Sequence, residues 1–292
     1  MTRILLTGRT GQVGAELISA LAALGELNAL DRTQLDLSDG AAIARTVRAL
    51  APNIIVNAAA YTAVDRAEVE PDLAMAINGD APGVLAQEAA RLGAWLVHYS
   101  TDYVFDGYKA GAYAEDDPPH PLNIYGRTKL AGELAIQAAG ARHLILRTSW
   151  VYGASGKNFL VTIKRLAAER PELKIVNNQF GAPTWCHDIA QVTAAMLRQI
   201  AETPDGQAAA LSGIYNATAE GVCSWYEFAT AILAESRAGE AQAKLIPIPA
   251  SEYATPARRP SNSVLSHDKL RRLFGLEMPH WRQSLKKCLK GQ

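Results

Sequence analysis

The sequence contains little cysteine and no excess of charge of either sign. Its three cysteines, Cys186, Cys223 and Cys288, are too few and too widely spaced for a disulfide framework or a Cys-x-x-Cys metal site, so we expect reduced thiols. The 29 Lys and Arg residues balance the 29 Asp and Glu residues, without a basic run or stripe. Because nucleic-acid backbones are bound by such basic surfaces, we expect no nucleic-acid partner.

Long apolar runs are also absent. No stretch reaches the roughly 18 uninterrupted apolar residues of a membrane span, and residues 1–7 run straight into a glycine loop at Gly8, which leaves no room for a signal peptide. We therefore expect a cytoplasmic protein without membrane contact. The six histidines show no metal-ligand spacing, so neither a metal site nor a catalytic histidine is predicted.

Short apolar runs alternate with longer amphipathic segments in the first half of the chain. The runs predict buried strands at Ile4–Thr7, Asn28–Leu30, Ile54–Asn57, Trp95–Ser100 and Leu144–Leu146. The segments between them predict helices at Gln12–Leu24, Ala41–Leu50, Leu73–Leu92 and Tyr125–Ala139. Strands that are apolar on both faces, with helices between them, are typical of a parallel sheet covered on both sides. The pattern predicts an α/β fold with a doubly wound, Rossmann-like parallel sheet.

This alternation fades after about residue 150. Turn-rich pieces follow at 177–183 and 247–249, and helices are predicted at Asn158–Glu169, Asp188–Ala201, Trp225–Glu235 and Asp268–Phe274. We expect a dinucleotide-binding domain over 1–150, completed by parts of 174–217. The remainder of 151–292 is expected to form a smaller, mainly substrate-binding lobe, with a boundary that is interleaved with the first domain.

A glycine-rich loop follows the first predicted strand and opens the first predicted helix. Gly8, Gly11 and Gly14 allow a tight turn and close packing of helix on strand. The helix amino terminus at Gln12 and Val13 then offers free N–H groups to a pyrophosphate. In this context the loop predicts a dinucleotide site.

Charged residues after the second predicted strand bear on the choice of cofactor. Asp31 can bind the adenosine ribose hydroxyls, which favours NADH, whereas Arg32 can pair with a 2′-phosphate, which favours NADPH. Asp36 can reach the adenine edge, or it can instead be a helix N-cap or turn residue. We expect both cofactors to bind, with NADPH modestly preferred.

Tyr125 and Lys129 stand four residues apart, on one face of a predicted helix. Reduction of a ketone by a nicotinamide needs a proton for the developing alkoxide, and a tyrosine can donate it if a nearby cation lowers its pKa from about 10. Thr101 lies at the carboxyl end of a predicted strand, the edge where doubly wound sheets bind ligands, and its hydroxyl can hold the carbonyl oxygen. These three residues are the predicted catalytic groups.

The Gly-x-x-Gly-x-x-Gly spacing and the turn at 57–60 resemble the extended branch of the short-chain dehydrogenase/reductase superfamily. Longer strings resemble one family of that branch, the dTDP-4-dehydrorhamnose reductases, and they follow the family's order along nearly the whole chain. The strings are NAAAYTAVDRAE (57–68), STDYVFDG (100–107), YGRTKLAGE (125–133), RTSWVYG (147–153), NQFGAPT (178–184), SWYEF (224–228) and PARRPSNS (256–263).

The resemblance implies reduction of the 4-keto group of dTDP-4-dehydro-L-rhamnose to dTDP-L-rhamnose, for cell-surface polysaccharide. It implies the three catalytic groups named above, together with cofactor contacts at Leu37, Ala58, Ala59, Ala60 and Thr62 and sugar contacts at Thr101, Asp102, Val104, Tyr125 and Trp150. Trp150 can instead be a core tryptophan at a strand end. Arg258 and Arg259 can offer a guanidinium fork to the substrate's pyrophosphate, or they can be surface charges.

Some members of the family hold Mg²⁺ at a dimer contact through glutamates. Glu16 keeps the first of these positions, but the second falls on His187, a poor Mg²⁺ ligand, and Asp188 is expected to cap the following helix. The chain ends on Gln292, without a carboxylate side chain that could complete the site. Mg²⁺ is thus possible by resemblance but is not supported by these residues, and we expect a monomer or a metal-free homodimer.

Two other functions are consistent with the same fold. A sugar-nucleotide 4-epimerase or 4,6-dehydratase shares the glycine loop and the Tyr–Lys pair, but the dehydratases place Asp-Glu after the strand-end Thr or Ser, whereas Tyr103 follows Asp102 here. A non-catalytic regulatory subunit can lose its catalytic groups and keep its fold. This chain retains all three groups, which favours turnover.

Overall fold

The computed structural model describes residues 1–236 and 243–291. Its strands are β1 (Arg3–Thr7), β2 (Glu26–Leu30), β3 (Ile54–Asn57), β4 (Trp95–Thr101), β5 (Arg142–Thr148), β6 (Val151–Tyr152), β7 (Glu172–Val176), β8 (Phe180–Gly181), β9 (Thr184–Trp185), β10 (Gly213–Asn216), β11 (Cys223–Ser224) and β12 (Lys244–Ile248). Its helices are α1 (Gln12–Leu21), α2 (Gly40–Leu50), α3 (Val64–Ala67), α4 (Pro71–Met75), α5 (Ala81–Leu92), α6 (Ile124–Ala138), α7 (Phe159–Glu169), α8 (Cys186–Glu202), α9 (Asp205–Ala208), α10 (Trp225–Glu235), α11 (Asp268–Phe274) and α12 (Trp281–Lys290).

A six-stranded sheet lies at the centre, in the order β2-β1-β3-β4-β5-β10, and every neighbouring pair is parallel. The chain passes from β1 outward to β2 and then returns to β3 on the other side of β1. The reversal creates a crevice at the carboxyl ends of these strands, where open α/β sheets bind ligands. The predicted doubly wound parallel sheet is confirmed.

The strands are continuously apolar because helices cover both faces of the sheet. Ile4 and Leu6 point into a core that includes residues of α1 and α8, while Leu5 points into a second core with residues of α2 and α5, and all three are fully buried. Alternate residues of one strand thus serve two cores, which fixes the strand's register from both sides.

A third core lies in the second half of the chain and joins α7, α10 and α12 through Leu160, Phe228 and Trp281. Two-stranded sheets pair β7 with β12, β8 with β11 and β6 with β9. Strand β10, from within 174–217, returns to the edge of the central sheet beside β5. The domain division near residue 150 remains a prediction, and residues 237–242 and Gln292 of the predicted lobe lie outside the described residues.

The predicted strands of the first half and most of the predicted helices are confirmed to within three residues at each end. The predicted helix Leu73–Leu92 is instead α4, a π-helical turn at Ala76–Asp80, and α5. Pro82 explains the turn, because it has no N–H to donate to the carbonyl four residues earlier. The prediction of a turn-rich piece at 247–249 is also wrong in part, because Pro247 and Ile248 are the last residues of β12. Proline is tolerated there because both strands of a two-stranded sheet are edge strands.

The described residues include all three cysteines and every helix named above. Cys186, Cys223 and Cys288 are buried and free, as predicted. None of the helices in 1–236 and 243–291 is long and apolar enough to cross a membrane.

Candidate active site

A cavity of about 740 Å³ opens at the carboxyl ends of the central strands. Most of the predicted site residues line it, although they are scattered over the first 150 positions. Those that do are Gly8, Gly11, Gln12, Val13, Asp31, Arg32, Asp36, Leu37, Ala58, Ala59, Ala60, Thr62, Thr101, Asp102, Tyr125, Lys129 and Trp150.

The glycine loop has no space for side chains. Gly8 adopts φ +77°, and a Cβ there would lie 2.7 Å from the backbone nitrogen of Ala59. A Cβ on Gly14 would lie 2.0 Å from the Gly8 carbonyl oxygen, so Gly14 sits behind the cavity and lets α1 approach the loop. Gly11 is the N-cap of α1 and brings no capping side chain, which leaves the first N–H groups of the helix to an anion. This cradle fits the diphosphate of a dinucleotide.

Asp31 comes directly after β2, at the rim of the cavity. Its carboxylate accepts hydrogen bonds from the backbone N–H and hydroxyl of Thr33 and from Nε of Arg9 at 3.1 Å. Chiefly the Thr33 hydroxyl bond holds the pKa of Asp31 below its usual value. The carboxylate is therefore ionised at neutral pH and can accept from ribose hydroxyls.

Arg32 extends into solvent, with its side chain 71% exposed and a guanidinium nitrogen 3.6 Å from Asp36. Asp36 accepts from the backbone N–H and the hydroxyl of Ser38, which makes it a turn residue that also lines the cavity. The helix-cap alternative is excluded for Asp36, because the N-cap of α2 is Asp39, which accepts from the Ala42 N–H.

Thr101 and Tyr125 reach the cavity from β4 and α6. The N-cap Asn123 fixes the start of α6 by accepting from the Gly126 N–H at 2.8 Å. Gly126 lets the helix pack closely, since a Cβ there would lie 2.2 Å from the Tyr103 carbonyl oxygen. The helix start therefore places the Tyr125 phenol in the same part of the cavity as the Thr101 hydroxyl, which influences its pKa.

Burial dominates the ionisation of the predicted acid and its partner. It raises the pKa of Tyr125 to about 12, against the opposing influence of the neighbouring Thr101 hydroxyl. It also lowers the pKa of Lys129 to about 7, against the attraction of Glu133. The predicted lowering of the Tyr125 pKa is not found in this arrangement, because desolvation of the phenol outweighs the influence of its neighbours.

Asp102 is 2% exposed and follows Thr101 at the bottom of the cavity. One carboxylate oxygen accepts from the Thr101 hydroxyl at 2.9 Å, while Oδ2 has no hydrogen-bond partner among the described residues. Burial raises the pKa of Asp102 to about 7. A buried acceptor left unpaired costs about 1–3 kcal/mol, so this oxygen is suited to a hydroxyl group of a ligand.

Trp150 forms part of the cavity wall. It adopts φ +47°, and its ring stacks on that of Trp225 with centroids 3.6 Å apart and planes inclined by 10°. Both tryptophans line the cavity, and Trp150 is only partly buried. The place of Trp150 at the cavity wall favours a sugar contact over a core tryptophan at a strand end.

Three predicted substrate residues do not line the cavity. Val104 is fully buried in a small core with Phe105. Arg258 hydrogen bonds to Tyr108 on the surface. Arg259 pairs with Asp65 at 2.9 Å. The predicted substrate contacts of these three residues remain predictions.

The chain is similar to known proteins over nearly its whole length. The profile of the RmlD substrate binding domain family matches residues 1–292. A dTDP-4-dehydrorhamnose reductase of Burkholderia thailandensis is 49% identical, covering 99% of this chain and 98% of its own, and that of Escherichia coli K12 is 47% identical, covering 98% and 96%. The crystal structure of the Bacillus anthracis dTDP-4-dehydrorhamnose reductase in complex with NADP covers both chains fully, with a TM-score of 0.90 and 35% identity.

The chain belongs to the dTDP-4-dehydrorhamnose reductase family. The predicted family is thereby confirmed, and with it the prediction of an NAD(P)H-dependent oxidoreductase.

The two positions associated with Mg²⁺ in some members of the reductase family do meet in this chain. Nδ1 of His187 lies 2.9 Å from a carboxylate oxygen of Glu16. No group of three His, Cys, Asp or Glu residues able to hold a metal occurs in 1–236 and 243–291. The prediction that Asp188 caps α8 is wrong: Trp185 is the N-cap, and Asp188, within the first turn, accepts from the Ser284 hydroxyl.

Some residues that line the cavity of this reductase were not predicted from the sequence. Trp225 lies within the string SWYEF, which carried the family resemblance, but its stacking partner is 75 residues away, and no local pattern predicts such a contact. Lys157 lines the cavity next to Gly156, and Asn158 joins this loop to the glycine loop by donating to Gln12 Oε1 at 2.9 Å. A lysine in a loop has no distinctive sequence signal.

Proposed function

We propose that the chain reduces the 4-keto group of dTDP-4-dehydro-L-rhamnose to dTDP-L-rhamnose, with NADPH as the preferred reductant. The observation that supports this proposal most strongly is that one cavity, beside the glycine loop, is lined by Thr101, Tyr125 and Lys129 in a member of the reductase family. NADPH, when bound, supplies a hydride to the 4-carbon of the sugar. The chain's own groups bind both molecules and supply a proton to the oxygen.

The phenol of Tyr125 is the proposed proton donor. With a pKa of about 12 it is protonated at neutral pH, so it can act as an acid toward the oxygen that receives charge. The Thr101 hydroxyl lines the same cavity beside the phenol and is placed to hold the same oxygen. Lys129 provides the nearby amine whose charge can compensate the phenolate left behind.

The cofactor end of the cavity supports a phosphorylated dinucleotide. The glycine loop and the amino terminus of α1 would hold the diphosphate. Asp31 would bind the ribose hydroxyls, and Arg32, whose pairing with Asp36 is loose at 3.6 Å, is free to turn toward a 2′-phosphate. Strong exposure of Arg32 favours a modest rather than an absolute preference for NADPH, because exposed ion pairs contribute little.

The sugar end supports a deoxysugar. Oδ2 of Asp102 would accept from a sugar hydroxyl, and the stacked Trp150 and Trp225 would pack against the apolar face of the ring. Tyr103, which follows Asp102, meets Tyr125 edge to face with ring centroids 5.9 Å apart. An aromatic ring thus stands where the dehydratases need a glutamate, which argues against dehydration.

We also infer a cytoplasmic enzyme, monomeric or dimeric without metal. The hydrogen bond between Glu16 and His187 supports the absence of a metal, because it engages a carboxylate oxygen that would otherwise face a cation. We further propose that residues 1–150 with β10 form the cofactor domain and that the third core carries the sugar-binding lobe.

The test is a spectrophotometric assay of the purified chain. Addition of dTDP-4-dehydro-L-rhamnose to chain and NADPH should remove absorbance at 340 nm, and NMR of the product should show dTDP-L-rhamnose. Bound NADPH without turnover would support a regulatory subunit instead. Epimerised or dehydrated sugar without NADPH consumption would support the other enzyme classes.

A further inference from the structure

A row of buried polar side chains crosses the central sheet at the carboxyl ends of β1 and β3 and within β4. Thr7, Asn57 and His98 pair in register on the neighbouring strands β1, β3 and β4. Each is at most 2% exposed. Burial of polar groups is costly unless every one is hydrogen bonded, so a continuous row of three requires a reason.

The row ends on the amine of Lys129. The Thr7 hydroxyl donates to Asn57 Oδ1 at 2.7 Å, and Asn57 Nδ2 lies 3.1 Å from His98 Nδ1. On the other side of the ring, His98 Nε2 lies 3.1 Å from Lys129 Nζ, which also donates to the Tyr99 carbonyl oxygen at 2.6 Å. The proposed catalytic lysine is therefore bonded to a histidine that does not line the cavity.

The positions of the hydrogens along the row determine which charge state of Lys129 it favours. The Asn57 amide donates to Nδ1, so the single proton of a neutral imidazole is on Nε2 and points at Nζ. An ammonium would then face a donor, whereas a neutral amine can accept. The bonds are complete when Lys129 is uncharged.

The same three side chains can also serve the charged lysine without moving their rings or backbones. If the Asn57 amide turns by 180°, its oxygen accepts from Nδ1–H of His98 and its nitrogen donates to the Thr7 hydroxyl. His98 Nε2 is then free to accept from the ammonium of Lys129. The direction of the row reverses, and each of its three contacts still has a donor facing an acceptor. The Thr7 hydroxyl proton gives up Asn57 Oδ1 and has to turn to another acceptor.

The ionisation of the groups around the amine agrees with such a change near neutrality. Burial lowers the pKa of Lys129 to about 7. Burial and the adjacent amine lower the pKa of His98 well below its usual value, so the ring stays neutral while Lys129 titrates. The other charged group that acts on the amine is Glu133, one turn along α6, and Arg147 of β5 neutralises it at 2.7 Å.

Resting on the proposed reduction, we propose that His98 is a positioning residue that, together with Asn57, holds Lys129 in place in both of its charge states. Reduction of a ketone takes up one proton per turnover, and the proton that leaves Tyr125 must be replaced from solvent. The charge beside the phenol therefore changes during each cycle. A reversible row lets the amine follow while each contact from Asn57 to Lys129 keeps a donor facing an acceptor.

Kinetics of variants provides the first test. His98→Leu leaves Lys129 with the Tyr99 carbonyl alone, so we expect kcat to fall about tenfold or more and the midpoint of the pH profile to move by about one pH unit, with the KM for the sugar nearly unchanged. His98→Gln, whose amide can turn as Asn57 does, should restore most of both. His143→Leu, on the neighbouring strand and outside the cavity lining, is the matched control and should leave the profile unchanged.

A wild-type profile for His98→Leu, or failure of His98→Gln to recover activity while still binding NADPH, would overturn the proposal. If the wild-type chain does not oxidise NADPH at all, the proposed function has failed, and the row must be judged by the second test.

The second test does not need turnover. In chain labelled with ¹⁵N-histidine, NMR should show the His98 proton on Nε2 above about pH 8 and on Nδ1 below about pH 6, with a neutral ring throughout. The signal is assigned by its loss in His98→Gln. A single tautomer over this range, or a ring that becomes cationic, would contradict the proposal.

Discussion

A buried ion pair joins the two elements that carry the proposed catalytic groups, and its removal should be costly. Glu133 of α6 and Arg147 of β5 are joined by two hydrogen bonds, of 3.0 and 2.7 Å, and their side chains are 0% and 3% exposed. Ser100, next to Thr101, donates to the same carboxylate. The pair thus aligns the Tyr125 helix with the strands beneath it.

Glu133→Gln leaves the Arg147 guanidinium buried without its counter-charge. Breaking a buried pair in this way destabilises a protein by about 3–5 kcal/mol. At roughly 2.1 cal/mol/K per residue, unfolding of 292 residues gains about 0.6 kcal/mol/K of entropy, so the Tm should fall by about 5–8 °C. Scanning calorimetry measures this shift directly.

Two controls separate the pair from a general effect of substitution. Glu169→Gln removes a partner of Arg165 in an exposed pair and should cost about 1 kcal/mol at most. Glu133→Leu combined with Arg147→Met removes both charges and should cost less than the sum of the single losses. A loss below 1 kcal/mol in Glu133→Gln, or strict additivity in the double variant, would refute the reasoning.

Three further predictions concern the reaction. Tyr125→Phe should lower kcat by about 100-fold or more, with the NADPH Kd unchanged and Tyr108→Phe as an exposed control; near-normal turnover would remove Tyr125 from its role. Arg32→Ala should shift the ratio of kcat/KM values from NADPH toward NADH, and an unchanged ratio would make Arg32 a plain surface residue. Activity should survive EDTA, because Glu16 is bonded to His187. Loss of activity with EDTA, restored by Mg²⁺ together with a change of mass in light scattering, would show that other carboxylates rebuild a metal site.

The central sheet could be predicted because its signal is local. Each of its buried strands carries a run of apolar residues whose alternate members fill cores on opposite faces, so periodicity and length identify the strand before any partner is known. The two-residue strands β6, β8, β9 and β11 carry no such signal. They exist through pairing with distant segments, as when Val151 meets Thr184.

The π-helical turn at 76–80 shows how a local signal can acquire a meaning only in the fold. Pro82 was visible in the sequence, but the consequence is positional: Asn78, within the turn, binds both the N–H and the carbonyl of Tyr61 at the cavity. Gly132 of α6 packs on the same turn, since a Cβ there would lie 2.2 Å from the Asn78 carbonyl oxygen. One irregularity in a helix therefore shapes the loop after β3.

The candidate site likewise contains features that depend on local sequence and features that depend on distant contacts. The glycine loop and the Tyr125–Lys129 pair are readable because their chemistry depends on spacings of three or four residues. The Trp150 conformation is not readable, because a positive φ in a bulky residue costs of the order of 1–3 kcal/mol and has to be maintained by its surroundings. Trp225 stacks on one face of the ring, and Gly181 approaches its edge so closely that a Cβ would lie 2.8 Å away. The proposed sugar wall is therefore held by contacts among three distant segments of the chain, those of Trp150, Gly181 and Trp225.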